Sequence, residues 1–151
     1  MTLRDLLEKG EGQLYLVNTN SPTTVTEIDC VMTTQSDFEE RYPMYKHWFG
    51  GWGYNRFNNY EYIIGRKSRA KHGVHHDGTP RFVNICGSSF FLHPSQNDLD
   101  ETKYEFYKAI VFLSKDDACD YVINKVKKRK QELNAIITKI NKFKFNVADG
   151  D

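Results

Sequence analysis

An α+β domain with a mainly antiparallel sheet of about five strands is what this 151-residue sequence predicts. Three observations predict it. Short β-branched and aromatic runs recur between turn-forming clusters. Helical apolar spacing is confined to short N-terminal stretches and to the C-terminal end. The last strand signal runs directly into a long stretch that begins with a helix cap.

At the N-terminus, Thr2 followed by Asp5 has the pattern of a helix cap with an acid at the third helical position. Leu3, Leu6 and Leu7 follow at helical spacing, and Gly10 and Gly12 stop the helix. Residues 13–18 alternate around Leu14 and Leu16, a strand signal. Asn18 to Pro22 is turn chemistry, and residues 23–34 read as the second arm of an antiparallel hairpin. Ser36 with Glu39 forms a capping box, so a short helix is expected from Asp37, ended by Pro43.

The next stretch is the most distinctive. Tyr42, Tyr45, Trp48, Phe49, Trp52, Tyr54, Phe57 and Tyr60 crowd one window, punctuated by Gly50, Gly51 and Gly53. The glycines and Asn55, Asn58 and Asn59 predict an ordered loop rather than a long regular element. Residues 60–66 follow as a strand and residues 81–92 as another. Gly87-Ser88-Ser89 marks a bulge or close backbone approach in the second. Between them lies a basic loop closed by Asp77-Gly78-Thr79-Pro80. Residues 94–100 read as a polar loop and residues 103–113 as a fifth strand. Ser114-Lys115-Asp116-Asp117 then starts a helix that runs to about residue 142. Its apolar stripe is Tyr121, Val122, Val126, Leu133, Ile136, Ile137 and Ile140, and it is expected to lie across one sheet face. Residues 1–145 form one domain in this reading, and residues 146–151 a frayed tail.

Composition bounds the function. No apolar run approaches the ~20 residues of a membrane span, and the N-terminus lacks a signal-peptide pattern, so a cytoplasmic protein without membrane attachment is expected. Cys30, Cys86 and Cys119 are odd in number, widely spaced and in apolar contexts, which reads as buried structural thiols in a reducing compartment. Net charge is +1, but its distribution is uneven. Residues 1–64 hold five Lys/Arg against nine Asp/Glu. Residues 65–81 hold Arg66, Lys67, Arg69, Lys71 and Arg81 against Asp77. Residues 125–144 hold eight Lys/Arg against Glu132. Such local patches on a near-neutral chain suit nucleic acid or acidic partners.

The aromatic loop leads into the basic stretch, and flat π-faces beside positive charge suit a planar anionic ligand. Trp48, Trp52 and Tyr54 are the candidates for stacking on a base or partner side chain. Arg66, Arg69, Lys71 and Arg81 are the candidates for holding phosphates or carboxylates, with His75 and His76 tuning the site near neutral pH. The ligand class is nucleic acid, nucleotide or an acidic protein surface. No cofactor is expected. His72, His75, His76 and Asp77 are the one cluster of metal-ligand types, but H-x-x-H-H-D matches no zinc-site spacing and no metal is expected. An alternative reading makes His75, His76 and Asp77 the catalytic group of a phosphoryl-directed enzyme, with or without a divalent metal. Against it, the H-x-[ST] motif of two-histidine phosphoesterases occurs as His93-Pro94-Ser95 without a second copy, and Gly50-Gly51-Trp52-Gly53 lacks the P-loop ending. A third reading is an assembly protein. The basic run from Lys125 to Lys130 interrupts the apolar stripe, so the helix is expected to leave the core near residue 129. Residues 133–140 then need a partner, for which a homodimer is one candidate, although so short a stripe predicts no coiled coil.

The strand Ala109-Ile110-Val111-Phe112-Leu113 running into Ser114-Lys115-Asp116-Asp117-Ala118, in a chain rich in Tyr, Phe, Asn and Lys, resembles small accessory proteins of tailed bacteriophages. These include proteins that antagonise host nucleases or nucleotide-signalling immunity. The resemblance is one of general style and carries over no functional residue. It implies binding and inhibition rather than catalysis.

Overall fold

The computed structural model describes residues 1–45, 62–67, 73–83, 91–106 and 108–146. These form α1 (Leu3–Lys9), β1 (Glu11–Asn18), β2 (Thr26–Thr34), α2 (Gln35–Arg41), β3 (Tyr62–Lys67), β4 (Phe82–Val83), β5 (Phe91–Leu92), β6 (Lys103–Phe106), β7 (Ala109–Phe112) and α3 (Lys115–Phe145). Two 3-10 turns, Pro43–Tyr45 and Gln96–Asp100, complete them. The architecture is α+β. One antiparallel sheet runs β4-β3-β2-β1-β7-β6, with β5 also on β3. The five strands of four or more residues are β1, β2, β3, β6 and β7.

Alternation along the strands sorts the core onto two sheet faces. Leu14, Ile28, Cys30, Met32, Ile64, Leu92 and Val111 point to one face, where Leu3 and Leu6 of α1 and Leu99 of the second 3-10 turn cover them. This approach is close: a Cβ on Gly12 would lie 2.8 Å from Leu6 Cδ1. The opposite face carries two clusters. Val31, Ile63 and Phe82 pack under Phe38 of α2 and Tyr45. Val17, Ile110 and Phe112 pack under Ala118, Tyr121 and Val122 of α3.

Local chemistry explains the element ends. Thr2 Oγ1 accepts the Asp5 amide while Asp5 Oδ2 accepts the Thr2 amide, so both ends of the box are present. Gly10 closes α1 in the left-handed region at φ +79°, and Gly12 belongs to β1 instead of stopping the helix. The cap of α2 is Thr34, not Ser36. Thr34 ends β2 in an extended conformation and its hydroxyl accepts the Asp37 amide at 3.2 Å, so the helix starts two residues early.

Two expected strands are divided. Residues 103–113 form a hairpin, β6–β7, with Phe106 opposite Ala109. The turn lacks glycine and asparagine; Lys108 takes φ +66°, a conformation that side chains other than Gly, Asn and Asp seldom adopt. The strand expected over 81–92 is in two pieces. Lys67 and Arg66 pair with Phe82 and Val83, and the next positions, Gly65 and Ile64, pair with Phe91 and Leu92. Register on β3 therefore advances by one residue from 83 to 91, and residues 84–90, with the expected Gly87 bulge, lie outside the described residues.

The long helix follows Ser114, whose hydroxyl accepts the Asp117 amide at 3.3 Å. It spans 31 residues and leaves the sheet earlier than expected. Only its first two turns touch the core; residues 123–146 are exposed throughout. Burying the run Lys125 to Lys130, five cations around Val126, would require desolvating charges with no acid among them. No helix among the described residues is long and apolar enough to cross a membrane.

Candidate functional site

The His75-His76-Asp77 segment is the tip of a tight hairpin. Val74 bridges Pro80, the His75 amide donates to the Thr79 carbonyl at 2.8 Å, and the Gly78 amide donates to the His75 carbonyl at 2.9 Å. Gly78 takes φ +88°, the left-handed position that a three-residue hairpin turn requires. Asp77 Oδ1 accepts the Thr79 amide at 2.9 Å. That bond, aided by the hydroxyl of Thr79 and the nearby histidines, lowers the Asp77 pKa below the usual carboxylate value. Asp77 therefore acts first as the carboxylate that shapes the turn. His76 and Asp77 face solvent.

His75 is tied back to the body of the protein. The Tyr45 hydroxyl donates to the Pro80 carbonyl at 2.9 Å and accepts the Phe82 amide at 3.2 Å. A phenol has one proton, so the 3.1 Å contact between Tyr45 Oη and His75 Nε2 is made with Nε2–H as donor. Burial raises the Tyr45 pKa, which keeps the phenol protonated near neutrality. Tyr45 in turn stands in an aromatic cluster with Phe38, Tyr42 and Phe82 at centroid distances of 5.5–6.5 Å. Tyr45→Phe is expected to lower unfolding free energy by about 1–3 kcal/mol, because the hydroxyl serves three partners. A shifted urea midpoint with an unchanged slope is the readout.

The sequence-predicted site residues separate. Arg66 is in register with Cys30, so it belongs to the α1 face, whereas Tyr45, Phe82 and the hairpin anchor belong to the other. Lys67 is on the hairpin's face, and its Nζ pairs with Glu11 at 2.6 Å. Arg81 is exposed at the hairpin base, where its amide donates to the Gly73 carbonyl. Trp48, Trp52, Tyr54, Arg69, Lys71 and His72 lie outside the described residues. Among the described residues no group of three metal-ligand side chains comes together.

The feature that sequence reasoning undervalued is the length of helix standing clear of the core. Residues 123–146 carry eight Lys/Arg against one acid, Glu132, while residues 1–122 carry thirteen against seventeen Asp/Glu. The molecule is therefore polarised: an acidic body bears a cationic helical arm about 35 Å long, at ~1.5 Å per residue. At 100° per residue, Lys127, Lys128, Lys139 and Lys142 share one side of the arm with Gln131, Ala135 and Thr138, and Glu132 stands at its edge, one heptad before Lys139. Val126, Leu133, Ile136, Ile137 and Ile140 occupy the other side, all exposed. Beside the root of the arm, Pro22 and Thr23 of the β1–β2 loop and Val126, Arg129, Leu133 and Ile137 line a groove of about 480 Å³. The arm root and the hairpin platform lie on the same sheet face, since Val17 and Val31 point the same way.

Two further groups of the predicted chemistry are accounted for by burial. Cys30 is buried, its thiol pushed up to about 12 by desolvation, with Sγ 3.4 Å from the Gly12 carbonyl; it is a structural thiol. Cys119 is half-buried on α3, and Cys86 lies outside the described residues. His93 has its pKa lowered to about 4, chiefly by burial, against a smaller opposing effect of the Tyr62 backbone. The unfolded chain takes up this proton near pH 6.5 and the folded protein only near pH 4. Stability is therefore complete above pH 6.5, declines as pH falls toward 4, and loses nothing more from this group below that. After allowance for the part of the ring that faces water, the loss is on the order of 2 kcal/mol. His93→Gln is expected to flatten the stability–pH profile between those limits, measured by urea unfolding at stepped pH.

No family model, curated protein or solved structure matches the chain.

Proposed function

We propose that this protein is a non-enzymatic binding protein for nucleic acid, with the basic side of α3 as its principal contact. The observation that carries this reading is the arm itself: residues 123–146, exposed along their whole length, hold eight cations against one acid. Lysines on a helix face neutralise phosphates without reading bases, so the expected binding is insensitive to sequence. The acidic body repels the same polyanion and orients the approach toward the arm. The hairpin with His75, His76 and Arg81 is a second polar element on the same sheet face. Trp48, Trp52 and Tyr54, outside the described residues, are the proposed stacking residues, which would favour unpaired bases. The resemblance to phage accessory proteins supports binding and inhibition over turnover.

Fluorescence anisotropy of labelled single- and double-stranded oligonucleotides tests the proposal. If the four outer lysines each neutralise one phosphate, affinity falls about 100-fold between ~50 and ~200 mM salt. Quenching of tryptophan emission in the same titration would bring the Trp48–Trp52 loop into the contact. Binding to mononucleotides with no greater affinity for oligonucleotides would move the site to the hairpin. Binding to neither would leave an acidic protein surface as the partner.

A further inference from the structure

A helix gains most of its stability by packing an apolar face, and the distal two thirds of α3 pack on nothing among the described residues. The spacing of its exposed stripe is informative. Val126, Arg129, Leu133, Ile136, Ile140 and Phe143 recur at alternating steps of three and four, the seam of a two-stranded coiled coil. Among the described residues the most exposed large hydrophobics are at the far end, Phe143 at 74% and Phe145 at 72%. The groove walled by Pro22, Thr23, Val126 and Leu133 is at the near end. Among the described residues, one molecule thus carries a groove at the root of the arm and an exposed aromatic at the tip.

We propose that the occupant of this stripe is α3 of a second copy, running antiparallel. Setting Leu133 against Ile136 of the other copy places Val126 against Phe143 and Arg129 against Ile140. The Phe143 ring of each copy then enters the groove of the other, twice over by symmetry, which closes the contact. Charge selects the orientation. A parallel pair would juxtapose Lys125 with Lys130 and Lys139 with Lys144 across the seam. The antiparallel pair sets Glu132 beside Lys139 at two symmetric points and brings each cationic tip toward the acidic body of its partner. Arg129 is the one cation in the seam. Its guanidinium already reaches Glu132 at 3.4 Å, so its aliphatic stem can pack while the charge stays at the flank. Lys127, Lys128 and Lys142 remain on the outside, so the pairing engages Lys139 and leaves the other three lysines of the proposed nucleic-acid face free.

Sedimentation equilibrium over micromolar to millimolar protein tests the pairing. The expected result is a reversible dimer whose apolar seam persists at high salt, where the flanking charges are screened. Ile136→Glu is expected to return it to monomer with the melting of the domain unchanged, since Ile136 is exposed and belongs to none of the core clusters of described residues. Orientation is read with a short bifunctional maleimide in a chain with Cys86 and Cys119 changed to serine. Mixing Ile123→Cys with Lys144→Cys is expected to give cross-linked pairs, and Lys144→Cys alone none. A monomer at all concentrations, a dimer that survives Ile136→Glu, or cross-linking of Lys144→Cys to itself would overturn the proposal. So would oligonucleotide binding that dissolves the dimer, because the stripe would then belong to nucleic acid.

Discussion

Phe38→Ala is expected to cost about 3–5 kcal/mol of unfolding free energy, a large part of what a domain of this size has. Phe38 is 1% exposed and is the one buried residue of α2. Its ring lies 5.0 Å from Tyr42, 5.1 Å from Phe82 and 5.6 Å from Tyr45, mostly edge-to-face. Truncation removes the transfer energy of the ring, opens a cavity and loosens α2 from β2 and β3 together. The consequence travels to the candidate site, because Tyr45 holds His75 and Pro80 only while the cluster holds Tyr45. Urea unfolding followed by tyrosine and tryptophan signals measures the effect. A change below 1 kcal/mol would mean that the cluster is not a cooperative part of the core. Among the described residues the Phe38 cluster includes none from the arm, so under conditions where the variant is folded its α3-mediated binding is expected to persist.

The second large effect is on binding. Changing Lys127, Lys128, Lys139 and Lys142 together to glutamine removes half of the arm's cations while leaving the apolar stripe, Glu132 and the root of the helix intact. All four are exposed, so stability is expected to change by less than about 0.5 kcal/mol. The salt dependence of oligonucleotide binding is expected to lose about one unit of slope per lysine, close to its whole electrostatic component. Circular dichroism checks that the helix survives the substitution, and anisotropy reads the binding.

Much of the fold can be read in the residues. The box of Thr2 and Asp5, the β1–β2 hairpin and the helix start at Ser114 rest on local chemistry that the structure reproduces, since each is settled within a few residues of chain. The misreadings arise where a tertiary constraint overrides a local signal. Thr34-x-x-Asp37 and Ser36-x-x-Glu39 are both capping patterns, and the extended end of β2 decides for Thr34. The β6–β7 turn carries Tyr107-Lys108 where asparagine or glycine would have advertised it. The division of β4 from β5 shows only in the register along β3, which no local window contains.

The site was less legible. Arg66 and the hairpin histidines are near in sequence, yet strand alternation sends Arg66 to the far face of the sheet. Tyr45 looked like one aromatic among many in its window, and its role as the anchor of His75 depends on partners 30 and more residues away. The departure of α3 was expected at residue 129 because the basic run interrupts the stripe there. It occurs near residue 123 because, among the described residues, the apolar surface beneath the helix comes from β1, β7 and Val25 and is covered by its first two turns. Val126 and Phe143 then extend a stripe that, taken over residues 133–140 alone, was too short to suggest a coiled coil.

The central claim is that the cationic arm binds nucleic acid. It is tested most directly by anisotropy of one labelled single strand and one duplex, with the native chain and the four-lysine variant side by side across a salt series. The account predicts saturable, steeply salt-dependent binding by the native chain, and weak binding with a nearly flat salt dependence by the variant. Equal binding by the two proteins, or none by the native chain at low salt, would contradict it.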